Sequence, residues 1–109
     1  LGAYSLNFSC DETIAEIVAP VAGGNTSEFA ASPPQNPLGP CSVNLGNFQA
    51  ASQVSPTGSV SVALVTLHVL PGATAGQISA LNVATDILSD TNGVAIPTVD
   101  VDGSITVGP

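Results

Sequence analysis

A chain of 109 residues with eight acidic side chains, no lysine or arginine and a formal charge of −8 has the size of one small domain. With no cation to meet a phosphate, nucleic-acid binding and attachment to an anionic membrane surface lose their main source of affinity. Only 7% of the residues are charged and 44% are hydrophobic, which excludes the composition of a disordered chain and leaves apolar burial, backbone ladders and covalent ties to hold the fold.

Residues 3 to 10 alternate, with Tyr4, Leu6, Phe8 and Cys10 on one side and Ser5, Asn7 and Ser9 on the other, the pattern of a strand with one buried face. The stretch DETIAEIVAP at 11 to 20 fits a helical turn begun by Asp11, and its Ile17, Val18 and Pro20 fit a short strand after a turn equally well. Residues 20 to 40 hold five prolines and three glycines without a sustained period and predict a long loop. Strand-like segments resume at 41 to 52, 58 to 70 and 76 to 88, and the chain closes with VAIPTVDV and SITV. Turn residues separate them at Ser55-Pro56-Thr57-Gly58, Pro71-Gly72, Asn92-Gly93 and Asp102-Gly103. Short strands punctuated in this way predict an all-β antiparallel sandwich forming one domain over residues 1 to 109.

The longest apolar segment, VSVALVTLHVL at 60 to 70, is broken by Ser, Thr and His and falls well short of the roughly 20 residues of a membrane helix. The chain contains no methionine, which reads as a processed product or a fragment, with a removed signal lying upstream. Cys10 and Cys41 form an even count in a chain whose other features look extracellular, which favours a disulfide over two buried thiols. Closing a loop of about 30 residues would contribute about 3.5 to 4 kcal/mol. Neither a CxxC nor a Cys/His spacing for zinc is present.

Three phrases resemble those of the cohesin family. LGAYSLNFSCDETIAEIV at 1 to 18 resembles its L-G-A-Y-x-L-x-L-x-Y-D-P-x-V-L-E-V phrase, FQAASQVSPTGSVSVALVTLHVLPGATAG its central strands, and DILSDTNGVAIPTVDVDGSITV its closing hairpin. Together they cover nearly the whole chain in the family's order. The resemblance implies a secreted, non-catalytic jelly-roll or immunoglobulin-like sandwich; cohesins bind dockerin modules in cellulose-degrading complexes, and related domains serve in other surface assemblies. Cys10 and Glu12 stand where the family has Tyr and Pro, and Cys41 supplies a bridge that most relatives lack.

The two strands that precede the L-G-A-Y phrase in cohesins have no counterpart here. A sandwich without them exposes apolar faces and unpaired backbone groups. The resemblance therefore implies completion by a longer chain or by strands from a neighbouring subunit, and head-to-tail addition of identical subunits makes a filament. The expected acceptor groove is lined by Tyr4, Leu6, Phe8, Val65, Leu67 and Val69. The expected role is a subunit of an extracellular filament or layer; the alternatives are a recognition module for a dockerin-like protein and a carbohydrate-binding or adhesin domain.

Other chemistry is sparse. The tripeptides Asn7-Phe8-Ser9 and Asn25-Thr26-Ser27 are N-glycosylation acceptors by pattern, and Thr26, Ser27 and Ser32 are candidates for O-linked sugars. Asp86, Asp90 and Asn92 offer oxygen ligands suited to calcium, the only cofactor the sequence suggests, although Asp-x-Asn-Gly is also ordinary turn chemistry. His68 falls on the outward side of its strand. No G-x-S-x-G phrase occurs, no Lys or Arg is present to assist an oxyanion, and nothing requires Glu12, Glu16 and Glu28 to share a cleft, so the chain is expected not to be an enzyme. With one Tyr, three Phe and no Trp, a platform for stacking sugars is poorly supported; Tyr4, Phe8 and Phe48 are expected in the core, and Phe29 as an anchor of its loop or a contact for a neighbour.

Overall fold

The alternating stretch at the start of the chain becomes the central strand of the main sheet. The computed structural model describes residues 1–49 and 57–109. In chain order the strands are β1 (Ala3–Ser9), β2 (Ala15–Ile17), β3 (Ala22–Gly23), β4 (Gln35–Gly39), β5 (Ser42–Phe48), β6 (Ala63–Leu64), β7 (Leu67–Val69), β8 (Ile78–Ser89) and β9 (Gly103–Thr106), with one 3-10 turn at Ser27–Phe29. The fold is all-β, and every strand pair is antiparallel.

Five strands form one sheet in the order β4-β5-β1-β8-β9. Register puts Phe8 of β1 opposite Val43 of β5 and Val83 of β8, and Leu6 opposite Leu45, while Asn7 opposes Asn44 and Ser9 opposes Ser42. Because strand side chains alternate, these pairs sort the apolar residues to one face and the amides and hydroxyls to the other. The second layer is a two-stranded ribbon, in which β2 pairs with β7 and β3 with β6. It lies over the β5–β1 part of the main sheet, where Tyr4, Phe8, Val21, Phe29, Val43 and Leu45 form the buried core.

The predicted loop at 20 to 40 is built into both layers. Its first part supplies β3 and the 3-10 turn, which buries Phe29 completely with its ring 5.5 Å from that of Tyr4 in an edge-to-face arrangement. Its last part is β4, an edge strand, which is where a sheet tolerates a proline such as Pro37. The Gln35 side chain joins the two parts by mimicking a backbone partner: its Oε1 accepts from Val21 N–H at 2.7 Å and its Nε2 donates to Val21 O at 3.1 Å. Proline and glycine content signalled a loop because this tie runs through a side chain, which leaves no periodicity.

Both readings of residues 11 to 20 are partly right. Asp11 caps a turn through Thr13 N–H at 2.9 Å, and Ile14 and Ala15 N–H donate to Asp11 O; β2 follows at once. The Cys10–Cys41 disulfide joins the end of β1 to the start of β5 with a Cα–Cα distance of 5.3 Å. The bridge continues the ladder, since Cys10 N–H donates to Cys41 O at 2.8 Å. Asp102-Gly103 is not a turn, because Gly103 begins β9 and the Asp102 carboxylate is bonded to β8. The end of the segment at 41 to 52 and part of the turn at Ser55–Gly58 lie outside the described residues.

A candidate strand-acceptor site

Among the described residues the ribbon of β2, β3, β6 and β7 packs over β5 and β1 and leaves the β8–β9 side of the main sheet less covered. On that inner face Leu81, Val83 and Ile105 are half-buried, and Val69 at the end of β7 is exposed. Among the described residues β7 pairs on one edge only, with β2. Leu70 N–H donates to Ile14 O and Val18 N–H to Thr66 O, both at 2.8 Å, so even-numbered residues turn their backbone groups toward β2. In an antiparallel ladder the alternate residues point the other way, and the backbone groups of Leu67 and Val69 therefore face an edge where no strand lies among the described residues.

A second acceptor feature lies between β8 and β9, in residues 97–102. The chain turns back after Asp90, whose Oδ1 accepts from Asn92 and Val94 N–H at 2.8 and 3.0 Å, and Ile96 N–H donates to Leu88 O. It rejoins β8 in a regular ladder only at Gly103. Between these points aspartate carboxylates replace the missing carbonyls: Asp100 accepts from Thr85 N–H at 3.1 Å and from the Thr85 hydroxyl at 2.6 Å, and Asp102 accepts from Val83 N–H at 3.0 Å. The two-residue spacing of the acids matches that of Val83 and Thr85, so the segment runs antiparallel beside β8, set off from it by a side chain's length. Aiming the carboxylates at β8 turns the alternate side chains away from it, and Val99 and Val101 are 88% and 81% exposed. The Thr85 bonds hold the Asp100 carboxyl below its ordinary range.

Of the six residues expected to line a groove, Tyr4 and Phe8 are buried under Phe29 and the ribbon, and burial pushes the Tyr4 phenol up; its hydroxyl donates to Val62 O at 3.3 Å. Leu6, Val65 and Leu67 are half-buried, which leaves Val69 as the exposed member. The uncovered surface thus lies toward β8 and β9, with an apolar cleft of about 480 Å³ at Leu1, Val60, Val62, Leu88 and Ile96 adjoining it. Residues 97–102 escaped the sequence reading because VDVDG there looks like an alternating strand running into a turn; the interleaving of acid with valine was the available signal.

The remaining candidates are dispersed. Asn7 is exposed on the outer face of β1 and its Oδ1 accepts from Asn44 Nδ2 at 2.8 Å, whereas Asn25 is exposed just ahead of the 3-10 turn, with its N–H on the Ser61 hydroxyl. Asp90 caps its own turn, Asp86 is exposed on β8, and among the described residues no group of three or more His, Cys, Asp or Glu stands together to hold a metal ion. His68 lies on the outer face of β7 with Nδ1 3.0 Å from Oε1 of its cross-strand neighbour Glu16. Phe48 is exposed at the end of β5 rather than in the core. No helix is long and apolar enough to cross a membrane among the described residues. Comparison of the chain with protein-family models, characterised proteins and solved structures gives no match.

Proposed function

We propose that this chain is a non-catalytic, secreted structural subunit, in which the two-stranded layer of one copy is completed by β-strand from the next to build an extracellular filament or layer. The observation that carries this reading is that, among the described residues, the five-stranded sheet faces only a narrow ribbon whose β7 pairs on one edge, while Val99 and Val101 stand exposed on the β8 side. Free strand edges and exposed valines are features that folded proteins normally cover, and an added strand covers an edge by pairing its backbone and inserting alternate side chains. A disulfide-tied domain of this size suits an oxidising compartment. An acceptor and a donor on different surfaces of the same subunit give a heterologous contact, which propagates.

The test is electron microscopy and sedimentation of the purified full chain over a range of concentrations. Polymers that persist in mild denaturant are expected. A monodisperse, stably folded monomer at every concentration overturns the reading.

A further inference from the structure

We propose that Asn92-Gly93 is a site of spontaneous covalent modification, at which the Asn92 side-chain amide becomes a carboxylate, and that Asp90 is the positioning residue that sets its rate. The proposal is independent of assembly and needs only the folded chain and water. In the step, the Gly93 backbone nitrogen gives up its proton to hydroxide and attacks the Asn92 side-chain carbonyl carbon. The bond from that carbon to the side-chain nitrogen breaks, and the nitrogen leaves as ammonia with a proton from water. Water then opens the five-membered imide at one of its two carbonyls, which yields aspartate or, with the backbone rerouted through the side chain, isoaspartate. The net change is one amide and one water for one carboxylate and one ammonium.

Sequence and structure together select this position. Asn92 is the only asparagine followed by glycine, so no side chain shields the attacking nitrogen, and a nucleophile in the same chain has a high effective concentration. Asn36 precedes Pro37, whose nitrogen carries no hydrogen; Asn25 precedes the branched Thr26, and the other asparagines lie within β1, β5 and β8. Asn92 and Gly93 are exposed, and nothing lies within 4 Å of the place a Gly93 Cβ would take, so water and base reach the peptide. Asp102-Gly103, which could close the same ring, is held in place: Gly103 pairs with Leu81 in the ladder and Asp102 accepts from Val83 N–H.

Asp90 controls the reacting nitrogen. Its carbonyl accepts from Gly93 N–H at 3.1 Å, and its Oδ1 accepts from Asn92 and Val94 N–H, so the nitrogen is occupied in the closed turn and the reaction proceeds from the opened one. The same turn leads into Ile96, whose N–H donates to Leu88 O beside the apolar cleft. Isoaspartate adds one backbone atom to that return and loosens it.

The experiment incubates the purified full chain, folded and in denaturant, at neutral and mildly alkaline pH, and follows residue 92 by peptide mass after pepsin digestion and by isoaspartyl methylation. The folded wild type is expected to gain one acid, at residue 92, more slowly than the denatured chain and faster as pH rises, with quicker hydrogen exchange at the Ile96 amide once converted. Asn92→Gln, whose longer side chain closes a six-membered ring poorly, is expected to lose the conversion with its unfolding midpoint unchanged. Asp90→Ala, which gives up two hydrogen bonds to a charged acceptor, is expected to convert about tenfold faster, and Asp90→Asn, which keeps the oxygen, at close to the wild-type rate. An Asp90→Ala rate equal to the wild type's overturns the role of Asp90, and so does one equal to that of its own denatured chain with a collapsed midpoint, which assigns Asp90 to global stability. A folded wild type that stays unconverted after many half-lives of the denatured control, or that converts first at another asparagine, overturns the site.

Discussion

Phe29→Ala tests whether the proline-rich segment is part of the core or merely lies over it. Phe29 is fully buried, packs edge-to-face on Tyr4 and lies among Phe8, Val21, Val43 and Leu45. Truncation removes its transfer free energy and leaves a cavity between the layers, a loss of about 3 to 5 kcal/mol for a buried phenylalanine. That is a large part of the roughly 5 to 15 kcal/mol available to a domain of ordinary stability. At a slope of about 2 kcal/mol per molar urea, the unfolding midpoint falls by about 2 M. The chain offers a clean second readout, because Tyr4 is its single tyrosine and no tryptophan is present. Burial raises the Tyr4 phenol in the native fold, so the ultraviolet absorbance titration of the variant is expected to move back toward the ordinary tyrosine value. A loss below about 1 kcal/mol together with an unmoved tyrosine titration refutes the placement of Phe29 in the core.

Replacing both Cys10 and Cys41 by Ser, which removes a bridge spanning 31 residues, is expected to lower stability by about 3.5 to 4 kcal/mol on the chain-entropy account, and intact mass before and after reduction checks the bridge itself. Gly24→Ala would drive a methyl into the carbonyl of Ser61 and is expected to cost about 1 to 3 kcal/mol, read by denaturant titration against Gly72→Ala, where nothing lies within 4 Å and little change is expected. Asp11 and Asp100 are held below their ordinary range by hydrogen bonds from Thr13 and Thr85. Their contribution is therefore present above the ordinary aspartate value of 3.8 and lost as pH falls through the lower native values; an acid titration of the unfolding midpoint is expected to show a shallower fall in Asp100→Asn. Assembly of copies each carrying −8 is expected to strengthen as salt rises from about 0.01 to 0.15 M, because the Debye length shrinks from about 30 to 8 Å; weakening with salt, measured by sedimentation, refutes an identical-subunit partner.

Strand identity was legible wherever period-2 alternation was long, as in β1, β5 and β8, because burial of one face imposes that period directly. The site was less legible. Tyr4, Leu6 and Phe8 belong to the inner face as the alternation predicts, but their coverage by Phe29 depends on a non-local fold of the 20–40 segment that leaves no local pattern. Gln35 bonding to Val21 and the two aspartates bonding to β8 are side-chain substitutes for a ladder. Hydropathy reads Gln and Asp as surface residues, and it is blind to an oxygen placed where a carbonyl should be. The same blindness made Asp102-Gly103 read as a turn, since aspartate before glycine is common turn chemistry.

Those substitutes also explain how a chain without cations tolerates eight carboxylates. Asp11, Asp90, Asp100 and Asp102 each accept from backbone N–H groups, so half of the acids are stabilised by amide dipoles in place of lysine or arginine. Hydrogen bonds to a charged acceptor are stronger than neutral ones, and each of these also fixes the path of a turn or of the segment beside β8. The negative charge is thus spent on local backbone geometry and distributed over the surface, while the inner face of the main sheet remains apolar. In the proposed assembly, no Lys or Arg is present to orient a contact between copies. The specificity of that proposed contact rests on backbone register and on the seating of alternate apolar side chains, which is the recognition a β-strand supplies.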